Sequence, residues 1–242
     1  MRRLPAQKLV CALLFLMVSP SAHAVTVSAR VDLIEGGKAV KDHQAGEAVF
    51  WLTPIGTPLP PLPPARPDAP RPRLTQHNKS FEPHVLVVPV GSVVEFPNRD
   101  PFFHNVFSLF EGKRFDLGLY EAGSMRTVRF DKPGISYIFC NIHAEMSAVV
   151  IALTTPYYGI SNQRGELLIP NVPSGRYTLH VWYETALPQG SDTETHEVTV
   201  SGSNSFIGVF RIPATNLTLE HKNKYGGDYE PPTPDNPAYP RP

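Results

Sequence analysis

The sequence predicts an all-β protein assembled from β-sandwiches. Three observations carry this expectation. Apolar and polar residues alternate with period two in short runs, Gly and Pro turns punctuate those runs at regular spacing, and no stretch shows the period of an amphipathic helix. A chain of 242 residues has room for one large or two small domains.

The first strands fall between Val25 and Pro54. Val25 to Leu33 alternates apolar and polar residues, the signal of a half-buried strand, Gly36-Gly37-Lys38 is a turn, and Glu47 to Leu52 is a further strand. The composition then changes: nine prolines fall in the 19 residues from Pro54 to Pro72. Proline fixes φ and lacks an N–H, so residues 55–72 are expected to form an extended, semi-rigid tether. The β pattern resumes at Arg73. Val85 to Val88, a Gly91 turn and Val93 to Phe96 read as strand, turn and strand, and Asn98-Arg99-Asp100-Pro101 is a turn that delivers His104. Thr127 to Phe130 alternates, Asp131-Lys132-Pro133-Gly134 turns, and Ile135 to Phe139 and Ala148 to Leu153 are apolar β runs. Residues 155–211 form another β unit, in which Gly165 to Ile169, a Pro/Gly turn and Arg176 to Trp182 are followed by two more strands. After Pro213 the chain is polar and Pro-rich, and residues 214–242 are expected to be a disordered tail.

The N-terminus predicts the compartment. Arg2, Arg3 and Lys8 precede the apolar run Leu9 to Val18, and Ala22-His23-Ala24 is a small-residue cleavage site. Residues 1–24 are therefore read as a secretory signal, and the protein as exported, most simply to the periplasm. Cys11 lies inside the apolar run, which argues against a lipoprotein. No later stretch is long and apolar enough for a transmembrane helix, so the chain is not expected to be integral to the membrane. Cleavage takes three basic and no acidic residues from a chain with 22 of each, leaving a formal charge of −3. No basic run remains that would suit nucleic acid.

Cleavage also leaves Cys140 as the one cysteine. In an oxidising compartment it has no internal disulfide partner, so it is a buried thiol, an intermolecular bridge, a nucleophile or a metal ligand. Its neighbours choose among these. Cys140, His143 and Met146 stand at Cys-x2-His-x2-Met spacing, and His104 follows a turn at another strand end. A thiolate and two imidazoles bind copper or zinc, while the thioether favours copper; two His, one Cys and a weak axial Met are the donors of a blue-copper site. Each residue alone would have a duller explanation, namely buried thiol, ordinary histidine and core methionine. Glu145 offers an alternative axial ligand. A nucleophilic Cys/His pair is the rival chemistry, and it would need an orienting group and an oxyanion hole. His77, His84, His180 and His196 have no companion ligands at sensible spacing and read as surface or hydrogen-bonded side chains.

Residues 73–154 resemble the cupredoxins, the plastocyanin/amicyanin-like blue-copper proteins. The resemblance rests on Phe81-Glu82-Pro83 leading into Val85 to Val88, on Asn98-Arg99-Asp100 before His104-Asn105, and on Cys140 to Met146, whose short His-x2-Met loop is of the amicyanin type. It implies a Greek-key β-sandwich with His104, Cys140, His143 and Met146 as ligands of one type 1 copper ion. It also implies a supporting role for Asn105: its amide bonding the Cys sulfur and its side chain bracing the ligand loops. The whole chain is similar to exported proteins labelled methylamine utilisation proteins, in which a cupredoxin is joined to extra β structure. Residues 155–213 resemble the carboxypeptidase-regulatory, transthyretin-like β domain through Gly165-Glu166-Leu167 and Val172 to Leu179. Since Val27 to Leu52 fits that module's opening strands, residues 25–54 are expected to join 155–213 in a second small sandwich into which the cupredoxin is inserted.

Four protein ligands leave no open coordination position, so the expected role is a one-electron carrier and not an enzyme, with a redox partner protein. A periplasmic copper delivery or storage protein is the alternative. An adhesion or carbohydrate-binding module would need an exposed aromatic platform, and Trp51, Trp182, Tyr157 and Tyr158 are more simply core or sheet residues.

Overall fold

The computed structural model describes residues 24–35, 37–39, 47–62, 68–109, 112–184, 194–202, 205–213 and 221–229. The signal segment up to His23 and residues 63–67 of the Pro-rich stretch lie outside them. The all-β class is as the sequence predicts, with no helix among the described residues. Three strands precede the Pro-rich stretch: β1 (Ala24–Glu35), β2 (Lys38–Ala39) and β3 (Val49–Pro54). Then come β4 (Thr75–His77), β5 (Ser80–Glu82), β6 (Val85–Pro89), β7 (Val93–Pro97), β8 (His104–Ser108), β9 (Phe115–Tyr120), β10 (Met125–Arg129), β11 (Gly134–Cys140) and β12 (Ser147–Leu153). The last are β13 (Tyr158–Ile160), β14 (Glu166–Pro173), β15 (Gly175–Trp182), β16 (Glu194–Val200) and β17 (Phe206–Pro213).

Residues 73–153 form a sandwich. Its larger sheet runs β6-β12-β11-β8-β9, and its smaller layer is β7-β10, with β4 beside β7 through the Gln76–Asn98 bridge. Between the layers lie Leu74, Val94, Phe96, Phe130, Ile138 and Val150, all fully buried. The remaining strands form a second sandwich. One sheet is β14-β1-β17 with β2 on β1, and the other is β13-β3-β15-β16. The alternation of β1 sends Val27, Ala29, Val31 and Leu33 into its core, where they meet Phe50, Leu52, Leu167, Ile169 and Leu179. Thus β1 is the middle strand of one sheet and β3 an inner strand of the other. Gly159 lets β13 pass close under β14: a Cβ there would stand 2.3 Å from the Leu168 carbonyl oxygen.

The two sandwiches share a wall. Ala148, Val150 and Ala152 of β12 face the first core, while Val149, Ile151 and Leu153 face outward onto Val49 and Trp182 of the second sandwich. A strand buried on both faces has no polar side to show, which is why Ala148 to Leu153 is unbroken in apolar character. Trp51 stacks on His180, with ring centroids 5.0 Å apart, and Trp182 and Tyr158 pack at the shared wall. These aromatics are packed between sheets and form no open platform. At the rim, His84 Nε2 meets Glu184 Oε2 at 2.5 Å and its Nδ1 meets the Ser147 carbonyl at 3.1 Å. The Glu184 hydrogen bond leads in raising the His84 pKa, against the opposing effect of burial. The Pro-rich stretch is tied at both ends, since Ile55 N–H donates to the Arg176 carbonyl and Glu95 N–H to that of Pro72. The expectation of a disordered tail over residues 214–242 is corrected for 221–229 alone, since residues 214–220 and 230–242 lie outside the described residues. Residues 221–229 of the tail lie against the first sandwich through side-chain hydrogen bonds from Lys224 and Tyr229, which composition alone does not reveal.

Two outcomes follow. A chain lacking residues 24–54 loses an interior strand from each sheet of the second sandwich, so amide exchange across residues 155–213 should become unprotected; retained protection there would show that those residues fold without the N-terminal strands. His84 gains its partner on folding, so its stabilisation is present below the unfolded pKa of about 6.5 and fades as pH rises through the raised folded value. His84→Gln should therefore cost up to about 1 kcal/mol near pH ~6 and little near pH ~9 in urea unfolding, the half-exposed pair being partly screened; an equal cost at both values would rule out the charge pair.

Candidate metal centre

The pairing of β11 with β8 brings the candidate ligands together. Cys140 is in register with Val106 and Phe139 with Phe107. His104 lies two residues before Val106 and so points to the same face, diagonal to Cys140. After Cys140 the chain makes a tight loop. Cys140 N–H donates to the Met146 carbonyl and Met146 N–H to that of His143, both at 3.2 Å, and Asn141 N–H donates to the Asn105 carbonyl at 2.9 Å. The loop ends where Phe139 pairs with Ser147.

His104, Cys140 and His143 thereby converge, their ligand atoms all within 4.8 Å of one another. Cys140 Sγ lies 3.6 Å from His104 Nδ1 and 3.5 Å from His143 Nδ1. A thiol has one hydrogen and can donate to only one of the two rings. An ion with bonds of about 2.0 Å to nitrogen and about 2.3 Å to sulfur would hold such atoms ~3.5–3.7 Å apart. The donor set and its spacing therefore suit a soft metal ion. Cys140 and His104 are 0% exposed and His143 is 7% exposed. Met146 is fully buried and belongs to the same core cluster as Cys140, whereas Glu145 is exposed. Phe102 closes the pocket, its ring centroid 5.3 Å from that of His104 and 5.4 Å from that of His143.

Behind the candidate ligands stands a carboxylate that the sequence showed only as part of a turn. Asp100 Oδ2 accepts from His104 Nε2 at 2.9 Å, which fixes the ring tautomer and leaves Nδ1 a lone pair for the sulfur side. Asp100 also accepts the amides of Asn78 at 2.6 Å and Lys79 at 3.0 Å. Those two residues are the tip of the β4–β5 hairpin, both at positive φ (51° and 53°), the backbone of a two-residue I′ turn. Asn at a hairpin tip is the signal that could have found this support. Burial would raise the Asp100 carboxyl, but the Lys79 amide, the His104 ring and the Asn78 amide together hold it below its ordinary value.

Burial dominates the protonation of the candidate ligands themselves. It lowers His104 despite Asp100, and together with the neighbouring His104 it lowers His143 to about 4. Both shifts favour the neutral imidazole, the state that binds metal, and His143 stays neutral into mildly acidic pH. Burial raises the Cys140 thiol, although the backbone amides of Ile142, Asn105 and His143 oppose it. Asn105 departs in part from its expected role. Its side-chain amide donates to Asp116 Oδ1 at 2.7 Å, and it is its carbonyl that braces the Cys140 loop, through Asn141.

No protein-family model matches the chain, and no curated protein matches it. Solved structures do. A Cu-containing nitrite reductase from Thermus scotoductus SA-01 is similar at 24% identity and a TM-score of 0.34, over 39% of this chain and 25% of that one, so the chain spans about a quarter of the enzyme's length. A purple cupredoxin from Nitrosopumilus maritimus is similar at 21% identity and a TM-score of 0.31, over 34% of this chain and 99% of that one. A reduced amicyanin variant is similar at 20% identity and a TM-score of 0.33, over 34% of this chain and 82% of that one.

Proposed function

We propose that the chain is an exported type 1 copper protein that carries single electrons between redox partners. It would hold one copper ion at His104, Cys140, His143 and Met146, with Asn105 and Asp100 behind them. The observation that carries this reading is one buried thiol sulfur faced by two imidazole Nδ1 atoms at 3.5 and 3.6 Å.

Copper, when bound, supplies the one-electron couple. The chain supplies the rest. Asp100 holds His104 in the tautomer whose Nδ1 is free to donate its lone pair. Burial favours the neutral form of both rings and excludes water. Metal loading would require loss of the thiol proton, which burial otherwise retains. Donors fixed by β8, β11 and a hydrogen-bonded loop have little freedom to move when the charge at the centre changes. His143 keeps a small exposed edge, and exposed Phe103 lies in the chain beside His104; a redox partner protein would dock there. Export to the periplasm rests on the N-terminal signal pattern. No helix among the described residues is long and apolar enough to cross a membrane.

A cysteine hydrolase is the second reading, because Asp100, His104 and Cys140 form an acid–base–thiol chain. Against it, Cys140 and His104 are 0% exposed, which leaves no surface for a substrate carbonyl, the thiol is raised instead of activated, and a second imidazole on the same sulfur has no part to play.

Titration of the purified protein with Cu(II) should develop an intense visible thiolate-to-copper charge-transfer band that is absent from Cys140→Ser. A colourless protein that nonetheless holds Cu(I) would move the function to copper delivery or storage, and failure to bind copper in either state would refute the metal centre. Asp100→Asn should weaken copper binding about 10- to 100-fold in competition with a chelator, as loss of a ligand-orienting partner does; unchanged affinity would mean that Asp100 only supports the hairpin.

A further inference from the structure

Residues 221–229 form a compact turn of their own. Asn223 Oδ1 accepts the amides of Tyr225 and Gly227, both at 3.0 Å, Asn223 Nδ2 donates to the Asp228 carbonyl at 2.9 Å, and Lys222 pairs with Asp228. Gly226 supplies a positive φ of 80°. The turn is fastened in two places, to the start of the Cys140–Met146 loop and to the strands beside it. At one, the His221 ring stacks on Phe139 with centroids 4.1 Å apart, and Tyr229 packs edge-on to His221. The Tyr229 hydroxyl donates to the Cys140 carbonyl at 2.7 Å and lies 3.0 Å from His221 Nδ1. At the other, Lys224 N–H donates to Asn141 Oδ1 and Lys224 Nζ to Asp116 Oδ2, each at 2.8 Å.

These contacts close a ring of support. Asp116 on β9 also accepts from the Asn105 side chain, and the Asn105 carbonyl accepts from Asn141 N–H. Lys224 therefore joins β9 and the residue after Cys140, while Tyr229 holds the carbonyl of Cys140 itself. The Lys224 side chain is 19% exposed and that of Asp116 39%, so the lysine is the sheltered partner of the pair.

We propose that residues 221–229 are a strap over the Cys140–Met146 loop, with Lys224 and Tyr229 as positioning residues that keep the Cys140 thiol sequestered. Resting on the metal-centre reading, the strap also holds the loop shut around the ion and slows its exchange. Lifting the Cys140–Met146 loop away from β8 to reach Sγ would break the Tyr229–Cys140 and Lys224–Asn141 bonds.

The test has a metal-free arm. In metal-free protein, reaction of Cys140 with an aromatic disulfide reagent is followed by peptide mass in wild type, Lys224→Met/Tyr229→Phe, a chain ending at residue 220, and Lys224→Arg. The double variant and the shortened chain should label at least tenfold faster with a melting temperature close to wild type, and Lys224→Arg should stay slow because it keeps the charge pair with Asp116. Equal labelling rates across the set would overturn the strap. In the second arm, release of copper to a chelator should accelerate at least tenfold in the same two variants. A wild type that binds no copper would refute the metal centre, yet faster labelling would still support the strap as a guard of the thiol; copper release that is unchanged in the strap variants would overturn its role in holding the ion.

Discussion

The molecule depends on one strand that is buried on both sides. Ser147–Leu153 sends Ala148, Val150 and Ala152 into one core and Val149, Ile151 and Leu153 into the wall shared with the other sandwich. Its pairing with β11 also closes the loop that carries Cys140, His143 and Met146. Burial of this kind is worth roughly 1.5–3 kcal/mol for each large side chain removed from water. The apolar energy that joins the sandwiches and the geometry that gathers the candidate ligands therefore share the same seven residues. A loop anchored on so fixed a strand presents its donors with little spread.

Desolvation is the second common thread. The same exclusion of water that lowers His143 to about 4 raises the Cys140 thiol. The two effects pull the donors in opposite directions, the imidazoles toward their metal-binding form and the thiol away from it. Asp100 is the buried anion that survives in this setting, because two amides and an imidazole N–H satisfy it. A buried carboxylate without those donors would be strongly disfavoured.

Much of this was legible in the sequence, because strands announce themselves by local alternation. The apolar positions of Val25 to Leu33 are the ones that turn inward, and the run after Met146 is a strand as read, although only the structure shows that both of its faces are covered. The spacing of Cys140, His143 and Met146 was equally local. Longer-range features were hidden. Asp100 looked like a turn residue because its importance lies in a hairpin twenty-odd positions upstream. The strap was invisible because its composition is that of a disordered tail, and only contacts to Phe139, Cys140, Asn141 and Asp116 give it a place. Polar residues order a segment by whom they meet, which composition does not record.

The pairing of β1 with β17 ties almost the first described residues to almost the last of the sheets, Ser28 to Phe206 in register. A chain that emerges from its N-terminus first cannot make that pairing until the rest has been delivered. The sandwich of residues 73–153 is contiguous and faces no such wait. Its Cys140 loop can thus be shaped while the outer sandwich is still incomplete, and the residues that cover that loop, 221–229, arrive last of all the described segments. The connectivity thus permits an order of maturation in which the pocket forms first, the supporting wall second and the closure third.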